Sequence, residues 1–314
     1  MTILISGGAG FIGPNLIKRL VQAGQDVAVA DNFSRGRREN LDADVHVISV
    51  DLSRPESVDL VAESLHGCTV NEVWHLAANS DIPAGVEDPS VDLRDTFLST
   101  FHLLELTRRI GARRFYFASS SAVYGDCGTQ QLAESMGPLL PISNYGAMKL
   151  ASEAQISAAA ESFVERAGIF RFPNVVGTPA THGVLLDFVR KLKRDPSRLD
   201  VLGDGTQQKA YLHVSDLVDA MLFASARQLE RRAILNIGPV DDGVTVRWIA
   251  ERVCARVSPN ANIVYGRGNK GWVGDVPRFR YSTDKVRSLG WQPTMNSETA
   301  VLRAISEVAA QEGV

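Results

Sequence analysis

Short apolar runs alternate with longer stretches of helical periodicity through the first half of the chain. The runs are Thr2–Ser6, Asp26–Ala30, Val45–Val50, Val70–Leu76, Arg114–Ser119 and Ala167–Phe172. Helical patterns lie between them, at Phe11–Ala23, Pro55–Leu65, Pro89–Ile110 and Tyr145–Glu165. Strands alternating with helices predict βαβ units and a parallel sheet covered on both faces, an α/β fold of the Rossmann-type, doubly wound class.

After Pro173 the texture changes. Gly177, Pro179, Gly183, Gly203 and Gly205 cut the chain into short pieces. Helices are expected at Leu185–Arg194, Ser215–Gln228, Val244–Val257 and Ser297–Gln311. The strand-like Ala233–Ile237 is expected to return to the main sheet. The predicted division is a first domain at 1–172, to which a segment near 212–238 returns, and a smaller, irregular C-terminal lobe at 173–211 and 239–314. No repeat of solenoid period and no low-complexity tract interrupts this pattern.

Composition narrows the functional classes. The 314 residues are 45% apolar and 22% charged, ordinary for a globular protein. A net charge of −3 supplies no basic face, so nucleic acid is not expected as a partner. The opening MTILISGG reads as a first strand rather than a signal peptide. No apolar run approaches the roughly 18 residues of a membrane span, so no membrane partner is expected. Cys68, Cys127 and Cys254 are odd in number and far apart, which argues against a disulfide framework or a metal site. A cytoplasmic, reducing location is expected.

The first apolar run leads into Gly7-Gly8-Ala9-Gly10-Phe11-Ile12-Gly13, which opens a helical pattern. Glycines there permit a tight turn and let the backbone approach a pyrophosphate, which the free N–H groups of a helix start attract. Asp31 ends the second run, about 20 residues on, where an acid accepts hydrogen bonds from an adenosine ribose. Its charge would repel a 2′-phosphate, which favours NAD over NADP. Arg35, Arg37 and Arg38 follow closely and read either as a phosphate site or as a solvated loop. Asp51 ends the third run, and meets either the adenine edge or the N-terminus of the next helix.

Tyr145 and Lys149 stand four apart in a helical stretch and so share a face. A free tyrosine, with a pKa of roughly 10, is a poor base at neutral pH. A lysine ammonium one turn away, with the positive ring of an oxidised nicotinamide, favours the phenolate. The phenolate then takes a hydroxyl proton as hydride leaves the same carbon. Ser119-Ser120-Ser121-Ala122-Val123-Tyr124-Gly125 ends the Arg114–Ser119 run, where the carboxyl ends of parallel strands meet ligands.

Together these motifs resemble the extended short-chain dehydrogenase/reductase family, in its branch of nucleotide-sugar epimerases and dehydratases. The resemblance extends over nearly the whole chain. It includes His75-Leu76-Ala77-Ala78, Arg171-Phe172-Pro173-Asn174-Val175-Val176-Gly177, Gly203-Asp204-Gly205-Thr206-Gln207 and Gly274-Asp275-Val276-Pro277. It implies a catalytic set of Ser120, Tyr145 and Lys149. It implies NAD held by Gly7, Gly10, Phe11, Ile12, Gly13, Asp31, Asn32, Asp51, Leu52, Leu76, Ala77, Ala78, Tyr145, Lys149 and Phe172. It implies a nucleotide-sugar substrate met by Ser80, Ser120, Ser121, Tyr145, Asn174, Val184, Leu185, Val201, Lys209, Tyr211, Trp272 and Asp275. No metal is implied, and a homodimer is expected through the helices near Val91–Ile110 and Tyr145–Glu165.

Within that branch, dehydratases place Asp and Glu at the two positions after the catalytic hydroxyl residue, and decarboxylases also use a Glu there. This chain has Ser121 and Ala122, which cannot shuttle the extra proton that water loss demands. The expected reaction is therefore 4-epimerisation, of the kind that interconverts UDP-glucose and UDP-galactose. A dehydratase using Cys127 or His182, a 4-ketosugar reductase and an NAD-binding regulator are the alternatives. Three positions depart from the family pattern. Lys209 and Trp272 stand where arginines usually clamp the diphosphate, and Thr96 stands where Asn is common. Lysine offers a point charge instead of a planar fork. Trp272 either stacks on a base or sugar or packs in a core, and Arg267, Lys270, Arg278 or Arg280 are candidates to supply charge.

Overall fold

A computed structural model describes residues 1–128, 130–227, 230–268 and 280–314. Trp272, Asp275, Lys270 and Arg278 of the sequence reading lie outside the described residues. The chain divides into two compact units. The first comprises 1–125, 137–171 and 221–235; the second comprises 126–136, 172–220 and 236–314. The segments 126–136 and 212–220 thus belong to the second unit rather than the first, as does Phe172.

The first unit is built on a seven-stranded sheet. Its strands are β1 (Thr2–Ser6), β2 (Asp26–Asp31), β3 (His46–Ser49), β4 (Val70–His75), β5 (Arg114–Ala118), β6 (Arg166–Arg171) and β7 (Arg232–Asn236). They lie in the order β7-β6-β5-β4-β1-β2-β3. Every neighbouring pair from β6 across to β3 is parallel. Such strands are covered on both faces, so their runs need no alternation: Leu4, Ile5, Val29, Val73, Phe115 and Ile169 are all fully buried. Burying each such side chain stabilises the fold by about 1.5–3 kcal/mol. The strand order reverses between β1 and β4, and ligands of doubly wound sheets bind outside the strand ends at that point.

The helices of this unit are α1 (Ile12–Gln22), α2 (Ser57–Ser64), α3 (Ser99–Ile110) and α4 (Asn144–Ala160). On α1, Gly13, Leu16, Ile17 and Leu20 are buried at helical spacing. The predicted helix Pro89–Ile110 is in fact three pieces: an α-turn at Pro89–Asp92, a π-helix at Leu93–Leu98, and α3. Hydroxyls bond back to carbonyls of the preceding turn at this break. Ser99 Oγ donates to the Asp95 and Thr96 carbonyls, and Thr100 Oγ1 donates to the Thr96 carbonyl at 2.8 Å. Gly111 in the left-handed region (φ 72°) stops α3.

The second unit packs α5 (Val184–Arg194), α7 (Val246–Val257) and α8 (Ser297–Glu312) around an apolar cluster that includes Leu185, Val189, Leu199, Ile249, Val253 and Val301. Between them in sequence, α6 (Val214–Arg227) spans residues of both units. Residues 244–245, expected to open a helix, form a short strand antiparallel to Gln208–Lys209, and Thr245 caps α7. Asn174–Val176 runs parallel to Tyr211–His213, with Asn174 in register with Tyr211. Among the described residues, no helix is long and apolar enough to cross a membrane.

Candidate active site

The glycine loop is shaped by close approach. Gly7 is left-handed (φ 67°), and a Cβ there would lie 2.6 Å from the Ala77 nitrogen. At Gly13 it would lie 2.3 Å from the Gly8 carbonyl oxygen. The loop is thus pressed against the end of β4 on one side and its own helix on the other. At Gly10, by contrast, a Cβ would meet nothing nearer than the Gly7 carbonyl at 3.4 Å. The start of α1 has no side-chain cap and no acidic residue in its first turn. Its N–H groups therefore retain their capacity for an anion.

Asp31, expected from the sequence to meet a ribose, holds this loop. Its Oδ2 accepts from the Ala9 N–H at 2.9 Å and its Oδ1 from the Phe33 N–H at 2.8 Å. An ionised carboxylate offers roughly four acceptor sites, so capacity remains for two ribose hydroxyls. Asn40, which the sequence reading did not single out, ties the far side by donating to the Ala9 carbonyl at 2.9 Å. Asn32 accepts from the Ser34 N–H. Arg35 is paired with Asp81 at 2.9 Å, and Arg38 donates to the Leu41 and Asp42 carbonyls. Asp51 accepts from the N–H and hydroxyl of Ser53 in a local turn, and it does not cap the next helix, which begins at Ser57 with Glu56 at its N-cap and no side-chain cap. Leu52 is buried in the core, and Leu76, Ala77 and Ala78 follow β4 with partial exposure. A helix start without a side-chain cap and an acid at the end of β2 both fit NAD.

Ser120, Tyr145 and Lys149 come together in the first unit. Ser120 lies just past β5, begins the 3-10 turn Ser121–Tyr124, and accepts from the Ala122 N–H at 3.2 Å. Its side chain is hydrogen-bonded to Tyr145. Ser143 caps α4 by accepting from the Gly146 N–H, which fixes where the helix starts and hence where Tyr145 points. A Cβ on Gly146 would lie 2.5 Å from the Ala122 carbonyl oxygen, so helix and serine loop meet backbone to backbone. Lys149 Nζ donates to the Ala118 carbonyl at 2.6 Å and lies 5.8 Å from the centre of the Tyr145 ring.

Burial dominates the electrostatics here. It pushes the Tyr145 phenol up to about 12, against a lowering hydrogen bond from Ser120, with Asp92 adding a further rise. It draws Lys149 down to about 7, opposed by the nearby charges of Glu153 and Asp92. Without further positive charge the proton stays on Tyr145. A cation beside the ring would favour the phenolate.

Two carboxylates near this set escaped the sequence reading. Asp92 is fully buried; its Oδ1 accepts from Asn79 Nδ2 at 2.8 Å, and Oδ2 is without a partner among the described residues. Burial raises its pKa. Asn79 N–H donates to Thr96 Oγ1 at 3.2 Å, so Thr96 holds the loop after β4 in place of the family's Asn. Glu153 stands four residues beyond Lys149, and the repeat Tyr145, Lys149, Glu153 is the signal that would have found it.

Of the substrate-binding expectations, Ser80, Ser120, Ser121 and Tyr145 lie in the first unit, and Ser80 and Ser121 are partly exposed. Phe172, Asn174, Val184, Leu185, Val201, Lys209 and Tyr211 lie in the second. The Leu185, Val201 and Tyr211 side chains are packed in that unit's core, which leaves mainly their backbone to a ligand. Tyr211 N–H already donates to Ser297 Oγ at 3.0 Å. Cys127 and His182 also lie in the second unit.

A doubly wound sheet with a glycine loop at its switch point and a Ser–Tyr–Lys set past its strand ends defines a nicotinamide-dinucleotide-dependent enzyme of the short-chain dehydrogenase/reductase type. Residues 3–238 match the profile of the NAD dependent epimerase/dehydratase family, and the chain belongs to that family. It is 31% identical over 325 residues to the UDP-glucose 4-epimerase of Azospirillum brasilense, across 96% of this chain and 90% of the relative. A crystal structure of a UDP-galactose 4-epimerase superposes with a TM-score of 0.87 at 36% identity, covering 100% of both chains. The UDP-glucose 4-epimerase of Thermus thermophilus in complex with NAD also gives 0.87, at 30% identity and 100% coverage of both. The chain is an NAD-dependent enzyme.

Proposed function

We propose that this enzyme is a 4-epimerase of a nucleotide-activated hexose, of the UDP-glucose/UDP-galactose type. The observation that carries the reading is the Ser120–Tyr145–Lys149 set with Ser121 and Ala122 beside it. Ser120 holds the C4 oxygen by a hydrogen bond. Tyr145, as phenolate, takes the C4 hydroxyl proton and later returns it, while Lys149 supplies the charge that favours the phenolate. NAD, when bound, supplies the hydride acceptor and donor and the positive ring charge. The cycle has no net redox change and needs no second acid or base. Elimination of water needs one, and neither Ser121 nor Ala122 carries a carboxylate. The names and likeness of the relatives support the same substrate class.

Proton NMR in D2O, with the purified protein and a panel of UDP-, ADP-, GDP- and dTDP-hexoses and no added cofactor, tests this reading. Interconversion of C4 epimers without deuterium gained by the sugar is expected. A new keto or alkene signal would move the enzyme to the dehydratases. No change with any donor would remove the epimerase assignment.

A further inference from the structure

The buried Glu153–Arg171 pair lies one helical turn beyond Lys149 and grips the serine loop at both ends. Glu153 Oε1 accepts from Ser119 Oγ at 2.5 Å, at the foot of the loop. Both its oxygens also accept from Arg171, with Nε donating to Oε1 at 2.9 Å and Nη2 to Oε2 at 2.6 Å. The remaining Arg171 nitrogen, Nη1, donates to the Tyr124 hydroxyl at 3.0 Å, at the far end of the loop, and the guanidinium lies 4.9 Å from that ring's centre. The two charged side chains are only 3% and 4% exposed. Ser120 sits between these anchors, and Lys149 holds the nearby Ala118 by its carbonyl. All of these groups belong to the first unit.

We propose that Glu153, with Arg171, is a positioning element for catalysis, a clasp that holds Ser120 in its hydrogen bond to Tyr145. A buried ion pair is weak evidence of a gain in stability, because an apolar pair of similar volume often serves as well. What an apolar pair could not do is hold two hydroxyls, Ser119 and Tyr124, at the two ends of one loop. The bidentate geometry fixes direction as well as distance. The kinetic part of the proposal rests on the epimerase reading; the geometric part does not.

Glu153→Gln would leave Arg171 buried without its counter-charge and is a poor first variant. The clasp is better cut at its neutral ends, with Ser119→Ala, Tyr124→Phe and the double variant, each studied as the NAD-loaded enzyme. For each cut, kcat is expected to fall roughly 3- to 10-fold, the worth of one misplaced hydrogen bond. KM should stay within about twofold, because the hydroxyls are not expected to touch substrate. NAD content should be unchanged. A residue that merely stabilised the fold would lower the melting temperature and leave kcat per bound NAD intact, and that result in the double variant would overturn the proposal. Crystal structures of the variants need no substrate: loss or lengthening of the Ser120–Tyr145 bond is expected. Its survival in the double variant would also sink the idea. If wild type proves inactive on every sugar donor, the epimerase reading fails alone, and the crystal structures still decide whether the clasp positions Ser120.

Discussion

Replacing Lys149 with Met removes a lysine whose burial draws its pKa from 10.5 to about 7 in the folded chain. In the unfolded chain the group keeps its proton to near 10.5. Between those two values unfolding takes up a proton, so wild-type stability rises with pH across this window. Below about 7 both states are charged, and above about 10.5 neither is, so the contribution is flat outside it. With those two pKa values, the rise from about pH 7.5 to about 9.5 is roughly 2.5 kcal/mol. Lys149→Met lacks this dependence, while the other titrating groups largely cancel in the difference. His75, held well below its ordinary range by burial, titrates below the window, and Tyr145, raised from 10.0 to about 12, starts to titrate in the unfolded chain only near the window's upper end and is common to wild type and variant. The assay is urea unfolding of the NAD-free protein at intervals across the window, followed by circular dichroism, with wild type and variant compared at each pH. Wild type should gain on the variant by about 2.5 kcal/mol as pH rises across those two units. A stability difference that stays constant with pH would show that Lys149 remains charged in the fold and would refute the reasoning.

Three further outcomes are expected. Tyr145→Phe should keep the fold and NAD content yet lose on the order of 10²–10⁴ in kcat, the range for a general acid–base; retained turnover would move the base elsewhere. Gly13→Ala puts a Cβ 2.3 Å from the Gly8 carbonyl, and the shift this forces should cost about 1–3 kcal/mol and lower NAD affinity, read by calorimetry; unchanged affinity would mean the loop does not hold the pyrophosphate. Leu93 and Phe101, near the start of the π-helix and on α3, are 46% and 40% exposed, and light scattering should show a homodimer that Phe101→Glu dissociates; a wild-type monomer at micromolar concentration would end that expectation.

The sheet was legible because doubly buried strands write themselves as unbroken apolar runs, and β1 through β6 fall on the runs with shifts of at most one residue at their ends. The glycine loop, Asp31 and the Tyr145–Lys149 spacing were legible for a related reason. Each depends on residues close in sequence, where turn geometry or helical period fixes the relation. The Pro89–Ile110 helix was misread because its periodicity carries no mark of the π-helix. At that break the hydroxyls of Ser99 and Thr100 bond to carbonyls of the preceding turn, and Thr96 accepts from Asn79 across from the loop after β4. Asp31's grip on Ala9, the Glu153–Arg171 clasp and the half-satisfied Asp92 join positions 13 to 22 residues apart, and no local pattern encodes them. The titration of Tyr145 and Lys149 is likewise a tertiary property. The sequence names the tyrosine and the lysine, and with them the direction in which burial pushes an acid and a base, but only their enclosure decides that the push occurs and how large it is, because desolvation depends on everything packed around the charge.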